Sequence, residues 1–438
     1  MTDLTDQPDL VIRHGTVITA TAIFPADVAV TGEQIVAIGH DLRGRREIDA
    51  TGQYVIPGAI DGHVHLGMPI GRFTSTDDFF HGTRAAAFGG TTAVVDFVET
   101  GPEETMREAL AARQAVAADT VIDYGLHMTI GPTDIAKLDQ LAEARAAGCG
   151  SVKLYMAYGL RLTDGDLLLA LQRAADAGAQ PVVHAENWDV ITTLIARNLA
   201  AGRTTPHWHP RSRPAELEGE ATGRVIDIAA YVGAPVHIFH VSCAATVERI
   251  ATAKARGLPV TGETCPQYLT LTDEVYDRPG VAGALPVCSP PLRPAADRDA
   301  LWRALSSGAL DLVTTDHCPF TAAEKATGLG NFSQIPGGVP SIESRLALVY
   351  AGLVGDGAPD PAALSRWVDV CCTTPARVFG FGRKGQLLPG YDADIVLFDP
   401  TRNFTITPDS LHETAGWTPY DGLPLRGWPT TTISRGEV

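Results

Sequence analysis

Six side chains carry the chemistry that can be read from this chain: His63, His65, Lys153, His184, His240 and Asp316. The first two share one apolar run, and each of the others stands at the C-terminal edge of a run of its own. Imidazole and carboxylate groups bind borderline metals. A single His-x-His is common, but an ordered set of ligands at successive strand ends predicts a two-metal hydrolase. Side chains two apart on a strand point to the same face, so His63 and His65 can grip one ion. The same parity sets Lys153 with Tyr155 and Val182 with His184. In the sixth run it sets Val236, Ile238 and His240 on one side and His237, read as structural, on the other.

Lys153 is the odd member, because an ammonium cannot ligate a cation. Uncharged, its amine could add carbon dioxide, and the carbamate so formed has two oxygens that can bridge ions about 3.5 to 4 Å apart. For a lysine taken alone, pairing with a carboxylate is the ordinary reading. With His63, His65 and Asp316 on one ion and His184 and His240 on the other, a shared water would ionise near neutrality. Asp316 could then orient the nucleophile, take its proton and pass it to a departing amide nitrogen. The rival role for Asp316, a helix N-cap before His317, does not explain its place after the last apolar run.

These residues need a scaffold that brings distant positions to one end. From Val55 onward the chain alternates apolar runs with Ala-rich helical stretches. The runs are Val55 to Ile60, Thr91 to Phe97, Tyr124 to Ile130, Ser151 to Tyr155, Pro181 to Ala185, Val236 to Val241, Pro259 to Thr264 and Asp311 to Thr315. Helices are predicted over Glu103 to Ala118, Thr133 to Ala147, Thr163 to Ala177, Ala215 to Val232, Ala244 to Arg256 and Ala295 to Ser307. This is the α/β pattern of a (β/α)8 TIM barrel, whose chemistry sits at the C-terminal ends of its strands. The inserts Asn198 to Pro214, Pro266 to Pro294 and Pro319 to Pro340 read as loops over that face. Short alternating segments between 9 and 56 predict a small antiparallel sheet, and similar texture returns after Gly385. Residues 1–56 and 386–438 are therefore expected to form one small, discontinuous β-sandwich domain, and residues 57–385 the catalytic barrel.

Composition narrows the partners. The chain has 438 residues and a formal charge of −17, which disfavours nucleic acid and acidic membrane surfaces. No apolar run approaches the roughly 20 residues that span a bilayer, and Met1 to Asp6 has no leader character. Seven cysteines without framework spacing suggest free thiols in a reducing, cytoplasmic setting. Cys371 and Cys372 are read as buried helix residues, and Cys149, Cys243, Cys265, Cys288 and Cys318 as buried too.

The chain resembles the amidohydrolase superfamily, and within it the cyclic-amidase branch of dihydropyrimidinases and hydantoinases. The resemblance runs nearly end to end. It is carried by Pro57-Gly-Ala-Ile-Asp-Gly-His-Val-His, Asp77-Asp-Phe-Phe-His-Gly-Thr-Arg-Ala-Ala-Ala-Phe-Gly-Gly-Thr-Thr, Lys153-Leu-Tyr-Met-Ala-Tyr, His184-Ala-Glu-Asn, Gly262-Glu-Thr-Cys-Pro-Gln-Tyr-Leu, Ser289-Pro-Pro-Leu-Arg and Thr315-Asp-His-Cys-Pro-Phe. It implies a carboxylated Lys153, two divalent ions that are usually Zn2+, and a Tyr158 hydroxyl on the substrate carbonyl. It also implies main-chain contacts to the ring from Ser289 and from Gly337. At Gly337 this chain reads Ile335-Pro336-Gly337-Gly338 where relatives carry Ile-Pro-Asn-Gly, and the change puts the pocket's size in question.

Met68, Ile70 and Tyr155 either line the pocket for an exocyclic substituent or simply pack the barrel top. Asp96, His127 and Glu263 receive no role beyond burial or outer hydrogen bonding, and His81, His207, His209 and His412 are taken as solvent or structural histidines. The implied reaction opens a cyclic imide or ureide, a dihydropyrimidine or a 5-substituted hydantoin, to an N-carbamoyl amino acid. Allantoinase and dihydroorotase are rivals on the same scaffold. Gly67 stands where dihydroorotases carry the arginine that pairs with a carboxylate, and Gly67-Met-Pro-Ile-Gly lacks the acidic character of allantoinases. A non-catalytic scaffold of the same family would have lost ligands that are all present here. The resemblance also implies a homo-oligomer, tetramer or dimer.

Overall fold

The computed structural model describes residues 7–355 and 357–438; Met1 to Asp6, read above for a leader, lies outside the described residues. The chain begins with β1 (Leu10–Ile18), β2 (Ile23–Thr31), β3 (Gln34–Gly39), β4 (Arg46–Asp49) and β5 (Tyr54–Pro57). The short β6 (Ala59–Asp61) and a hairpin of β7 (Pro69–Ile70) and β8 (Phe73–Thr74) follow. Then come β9 (Thr91–Val98), β10 (Asp123–Ile130), β11 (Ser151–Tyr155), β12 (Gln180–His184), β13 (Val236–Ile238), β14 (Val260–Thr264) and β15 (Leu312–Val313). The last strands are β16 (Ile395–Thr405) and β17 (Pro424–Ile433).

Strands from both chain ends meet in one seven-stranded sheet, ordered β17-β16-β5-β1-β2-β3 with β4 also on β1. Its pairing is mixed: β1 runs antiparallel to β2 but parallel to β4 and β5. Alternate residues such as Leu10, Ile12, Val28, Val30, Ile395 and Leu397 fill its core. Eight parallel strands form the barrel in the order β6-β9-β10-β11-β12-β13-β14-β15. Alternation divides their side chains: Met128, Ile130, Val152 and Leu154 pack outward under the helices, while Phe97, Val182, Phe239 and Leu312 fill the interior.

The apolar run Val55 to Ile60, expected as one strand, serves two sheets. It breaks at Gly58, where a Cβ would meet the Thr92 Oγ1 at 2.1 Å, so only glycine allows the chain to cross from β5 to β6 this close to β9. Two helices match their expected bounds, Ala215–Val232 and Ala295–Ser307. Both end in a left-handed glycine, Gly233 and Gly308, which closes the last turn without steric cost. The three inserts read as loops carry short helices, Trp208–Arg211, Pro266–Thr270, Val281–Ala284 and Ala322–Ala326, packed over the C-terminal face. Their brevity kept them below any helical period. No helix among the described residues is long and apolar enough to cross a membrane.

Candidate active site

The C-terminal ends of the barrel strands bring the six metal-binding candidates together. Beyond β6, His63 and His65 each place Nε2 at 3.1 Å from Asp316 Oδ1, which follows β15. His184 closes β12, and its Nδ1 lies 2.8 Å from His240 Nε2. His63, His240 and Asp316 offer donor atoms that all lie within 4.8 Å of one another. Lys153, on β11, is buried with its Nζ 4.1 Å from the Phe239 ring centroid and 4.8 Å from that of Tyr155. This apolar surround pulls its amine down to about 7.

The strand parity expected for His240 does not hold. β13 stops at Ile238, and His240 turns at φ 40°, so it leaves the outward face of Val236 and Ile238 and enters the site. His237 is the interior residue of that strand, bonded through Nε2 to Glu263 Oε2 at 3.0 Å. Tyr158 and Asp316 share the left-handed backbone of His240, at φ 65° and 52°. Such conformations are unfavourable for residues with a Cβ and persist where the surroundings impose them.

Hydrogen bonds on the outer ring nitrogens test whether this set suits a metal pair. His63 Nδ1 lies 2.8 Å from Glu263 Oε1, and His184 Nε2 lies 2.8 Å from Glu186 Oε2. A carboxylate on the outer nitrogen makes that nitrogen the N–H and leaves the inner one as a lone pair. The inner lone pairs then face the Asp316 carboxylate and the His240 ring in a buried site, an arrangement of acceptors that divalent cations satisfy. His240 Nδ1 is itself buried without a partner. The residues therefore fit a pair of divalent ions.

The outer carboxylates are held ionised. Burial pushes the Glu263 carboxyl up, but its bonds from His237 and His63 outweigh that and hold it at about 2. Glu186 is likewise raised by burial and brought well below the usual range by the Arg213 guanidinium and by His184.

All of the residues singled out in the sequence line one cavity of about 870 Å3: the six metal-binding candidates with Met68, Ile70, Tyr155, Tyr158, Ser289 and Gly337. Burial pushes the Tyr158 hydroxyl up to about 12, so it is a proton donor at neutral pH. Trp188, Ile195 and Leu199 on the helix Trp188–Ala200, with Leu160, Phe332 and Ile335, add apolar lining. Four groups at this site received no functional role from the sequence. Glu186 and Glu263 lie in the stretches His184-Ala-Glu-Asn and Gly262-Glu-Thr-Cys, where their place at strand ends is the available signal. Arg213 sits in an insert, and His209, read as a default histidine, holds the Cys288 carbonyl beside Ser289 at 2.8 Å.

Comparison with known proteins places this geometry. Residues 54–438 match the amidohydrolase family. A D-hydantoinase of Streptomyces coelicolor is 41% identical over 439 residues, covering 98% of this chain and 93% of that protein. The crystal structure of a dihydropyrimidinase from Brevibacillus agri superposes with a TM-score of 0.93 at 43% identity, covering 97% of this chain and 94% of that one. An L-hydantoinase from Arthrobacter aurescens gives a TM-score of 0.90 at 28% identity, covering 98% and 95%. With its match along residues 54–438 and near-complete overlap with these relatives, the chain belongs to the amidohydrolase family.

Proposed function

We propose that the chain is a binuclear metal-dependent hydrolase that opens 5-substituted hydantoins and dihydropyrimidines to N-carbamoyl amino acids. The observation that carries this reading is the one cavity wall on which the imidazoles of His63, His65, His184 and His240, the Asp316 carboxylate and the buried Lys153 meet the Tyr158 hydroxyl. His63, His65 and Asp316 would hold one ion, His184 and His240 the other, with Lys153, carboxylated by carbon dioxide, between them; zinc is the expected metal. When bound, such ions acidify a water and polarise a carbonyl.

The chain's own groups do the rest. Tyr158 donates its hydroxyl to the ring carbonyl and stabilises the negative charge that grows there as water adds. Ser289 and Gly337 hold the ring's imide edge through the main chain. Asp316 takes the proton from the attacking water and returns it to the ring nitrogen as the C–N bond breaks, because an amide nitrogen leaves only when protonated. Met68, Ile70 and Tyr155 receive the exocyclic substituent. Arg213, the one guanidinium on the cavity wall among the described residues, is paired with Glu186, which disfavours a carboxylate substituent such as that of dihydroorotate. The greater identity to the D-hydantoinase than to the L-hydantoinase, 41% against 28%, supports the D configuration.

Seven free cysteines, all buried, support a reducing compartment, and a cytoplasmic homo-oligomer, tetramer or dimer, belongs to the same reading. Side-by-side assay of dihydrouracil, hydantoin, 5-phenylhydantoin, allantoin and dihydroorotate tests it. Turnover of phenylhydantoin and dihydrouracil is expected, together with two metal ions per chain by elemental analysis. K153A should lose both the activity and the full metal complement; an active, metal-replete K153A overturns the bridging role.

A further inference from the structure

Arg213 is buried at 5% exposure between two parts of the site that otherwise have separate duties. On one side its Nη1 donates to Glu186 Oε2 at 2.5 Å, and the same oxygen accepts from His184 Nε2 at 2.8 Å. On the other side its guanidinium carbon stands 5.3 Å from the Tyr158 ring centroid, and its charge acts on the Tyr158 hydroxyl, which also lies within reach of the Ser289 side chain. Trp188 packs on the same guanidinium at 5.3 Å and covers it. The backbone of Arg213 is fixed in turn, because Arg293 donates to its carbonyl while bonding Glu218 at 3.0 Å and Ser242 at 3.0 Å.

We propose that Arg213 is a positioning residue that couples the oxyanion donor Tyr158 to the ligand His184 through Glu186. The inference rests on the oxyanion role given to Tyr158 above and adds a residue that the reaction does not touch directly. Its physical basis is the planar fork of the guanidinium, which can serve two directions at once, whereas an ammonium is a single point charge. Towards His184, it holds the Glu186 carboxylate that keeps the imidazole proton on Nε2 and the lone pair on Nδ1. Towards Tyr158, a fixed positive charge behind the phenol favours displacement of the hydroxyl proton towards an acceptor as negative charge develops there. The left-handed backbone of Tyr158, φ 65°, gives the tyrosine a strained seat that such a side-chain anchor helps to retain.

A double-mutant cycle tests the coupling. R213M strands the Glu186 charge and can fail to fold, so the cycle is run in E186Q, where the glutamine oxygen can still accept from His184. R213M/E186Q should keep its thermal midpoint and bind metal, with kcat for 5-phenylhydantoin lowered about 10- to 100-fold and KM little changed, in the range seen for partners that orient a site. Y158F added to that background should cost far less than Y158F alone, and R213K should recover only part of the rate. Independent losses that multiply, or full activity in R213M/E186Q, overturn the coupling. Full activity of Y158F by itself overturns the oxyanion role instead, and the coupling falls with it. Metal analysis of the E186Q and R213M/E186Q proteins provides a readout that does not depend on turnover: equal occupancy is expected, and loss of one ion on adding R213M alone would assign Arg213 to metal retention rather than to Tyr158.

Discussion

Arg345 Nε stands 3.8 Å from Asp61 Oδ2, and both side chains are fully buried at the seam where the first and last barrel strands meet. β6 and β15 are not ladder partners; just beyond them Val64 bridges His317 and His65 N donates to the His317 carbonyl at 2.8 Å, and along the strands themselves side chains span the seam. Arg345 Nη1 donates to the Ile60 carbonyl at 2.9 Å and to the Val313 carbonyl at 2.7 Å, one on each strand. Asp61 accepts from Thr315 N at 3.1 Å and from Thr315 Oγ1 at 2.6 Å, immediately before Asp316. The pair thus sets the distance between the two ends of the site.

Removing Arg345 should therefore cost both stability and site geometry. R345M leaves the Asp61 carboxylate buried without its counter-charge, a loss of about 3–5 kcal/mol. Urea unfolding of the metal-loaded protein reads this directly. An unchanged midpoint would show that the seam does not need the guanidinium.

The two glycines of Ile335-Pro336-Gly337-Gly338 should behave oppositely. A Cβ at Gly337 would meet nothing nearer than the Ser289 Oγ at 3.7 Å, whereas one at Gly338 would meet the Cys318 carbonyl oxygen at 2.3 Å, at φ 143°. G337A should be neutral or stabilising by about 0.4–1 kcal/mol, since it restricts the unfolded chain, and G338A should be clearly destabilising. G337N should fold as well, placing there the side chain that the resemblance leads one to expect and narrowing the pocket. Thermal melts of the three variants check the order.

The scaffold and the meeting of six candidate metal-binding side chains at one end of it are legible because local pattern determines them: β-period alternation, helix caps and polar residues at run ends. What escaped was set by contacts between distant residues. Glu263 meets His63 across 200 positions, so no window of sequence contains both, and its role could not be told from simple burial. His240 was given the wrong face because parity was extended two residues past the end of β13, where the backbone turns left-handed. The run from Val55 to Ile60 has strand texture throughout, and only the close approach of Thr92 explains its division at Gly58. Arg213 lies in an insert with no period at all, and its significance appears only once Glu186, Tyr158 and Trp188 surround it.

Lys325 should act on substrate binding at a distance. It is fully buried, burial pulls its amine down to about 7, and its Nζ donates to the Val287 carbonyl at 2.7 Å. Gly338 N donates to the same carbonyl at 2.9 Å, so Lys325 ties together the segments that carry Ser289 and Gly337. K325M should raise KM about five- to tenfold, the worth of roughly one hydrogen bond, with kcat nearly preserved. A fall in kcat at constant KM would be the contrary result.

The last prediction concerns pH. Glu343 and Glu413 lie side by side, with Glu413 Oε1 accepting from Glu343 N at 3.2 Å, and burial pushes each carboxyl up to about 8 from an ordinary 4.5. Asp77 adds like charge, while Arg84 beside Glu343 and His317 beside Glu413 oppose it only in part. Between pH 4.5 and 8 the folded protein therefore holds protons that the unfolded chain has released. Stability must fall as pH rises through that window, by up to about 1.4 kcal/mol per pH unit for each carboxyl, and level off above it. E413Q removes one of the two protons from the balance and should flatten the decline without lowering stability at pH 5. Urea midpoints of both proteins at pH 5, 6, 7 and 8 decide the matter: parallel lines for wild type and E413Q would mean that Glu413 ionises freely in the folded state.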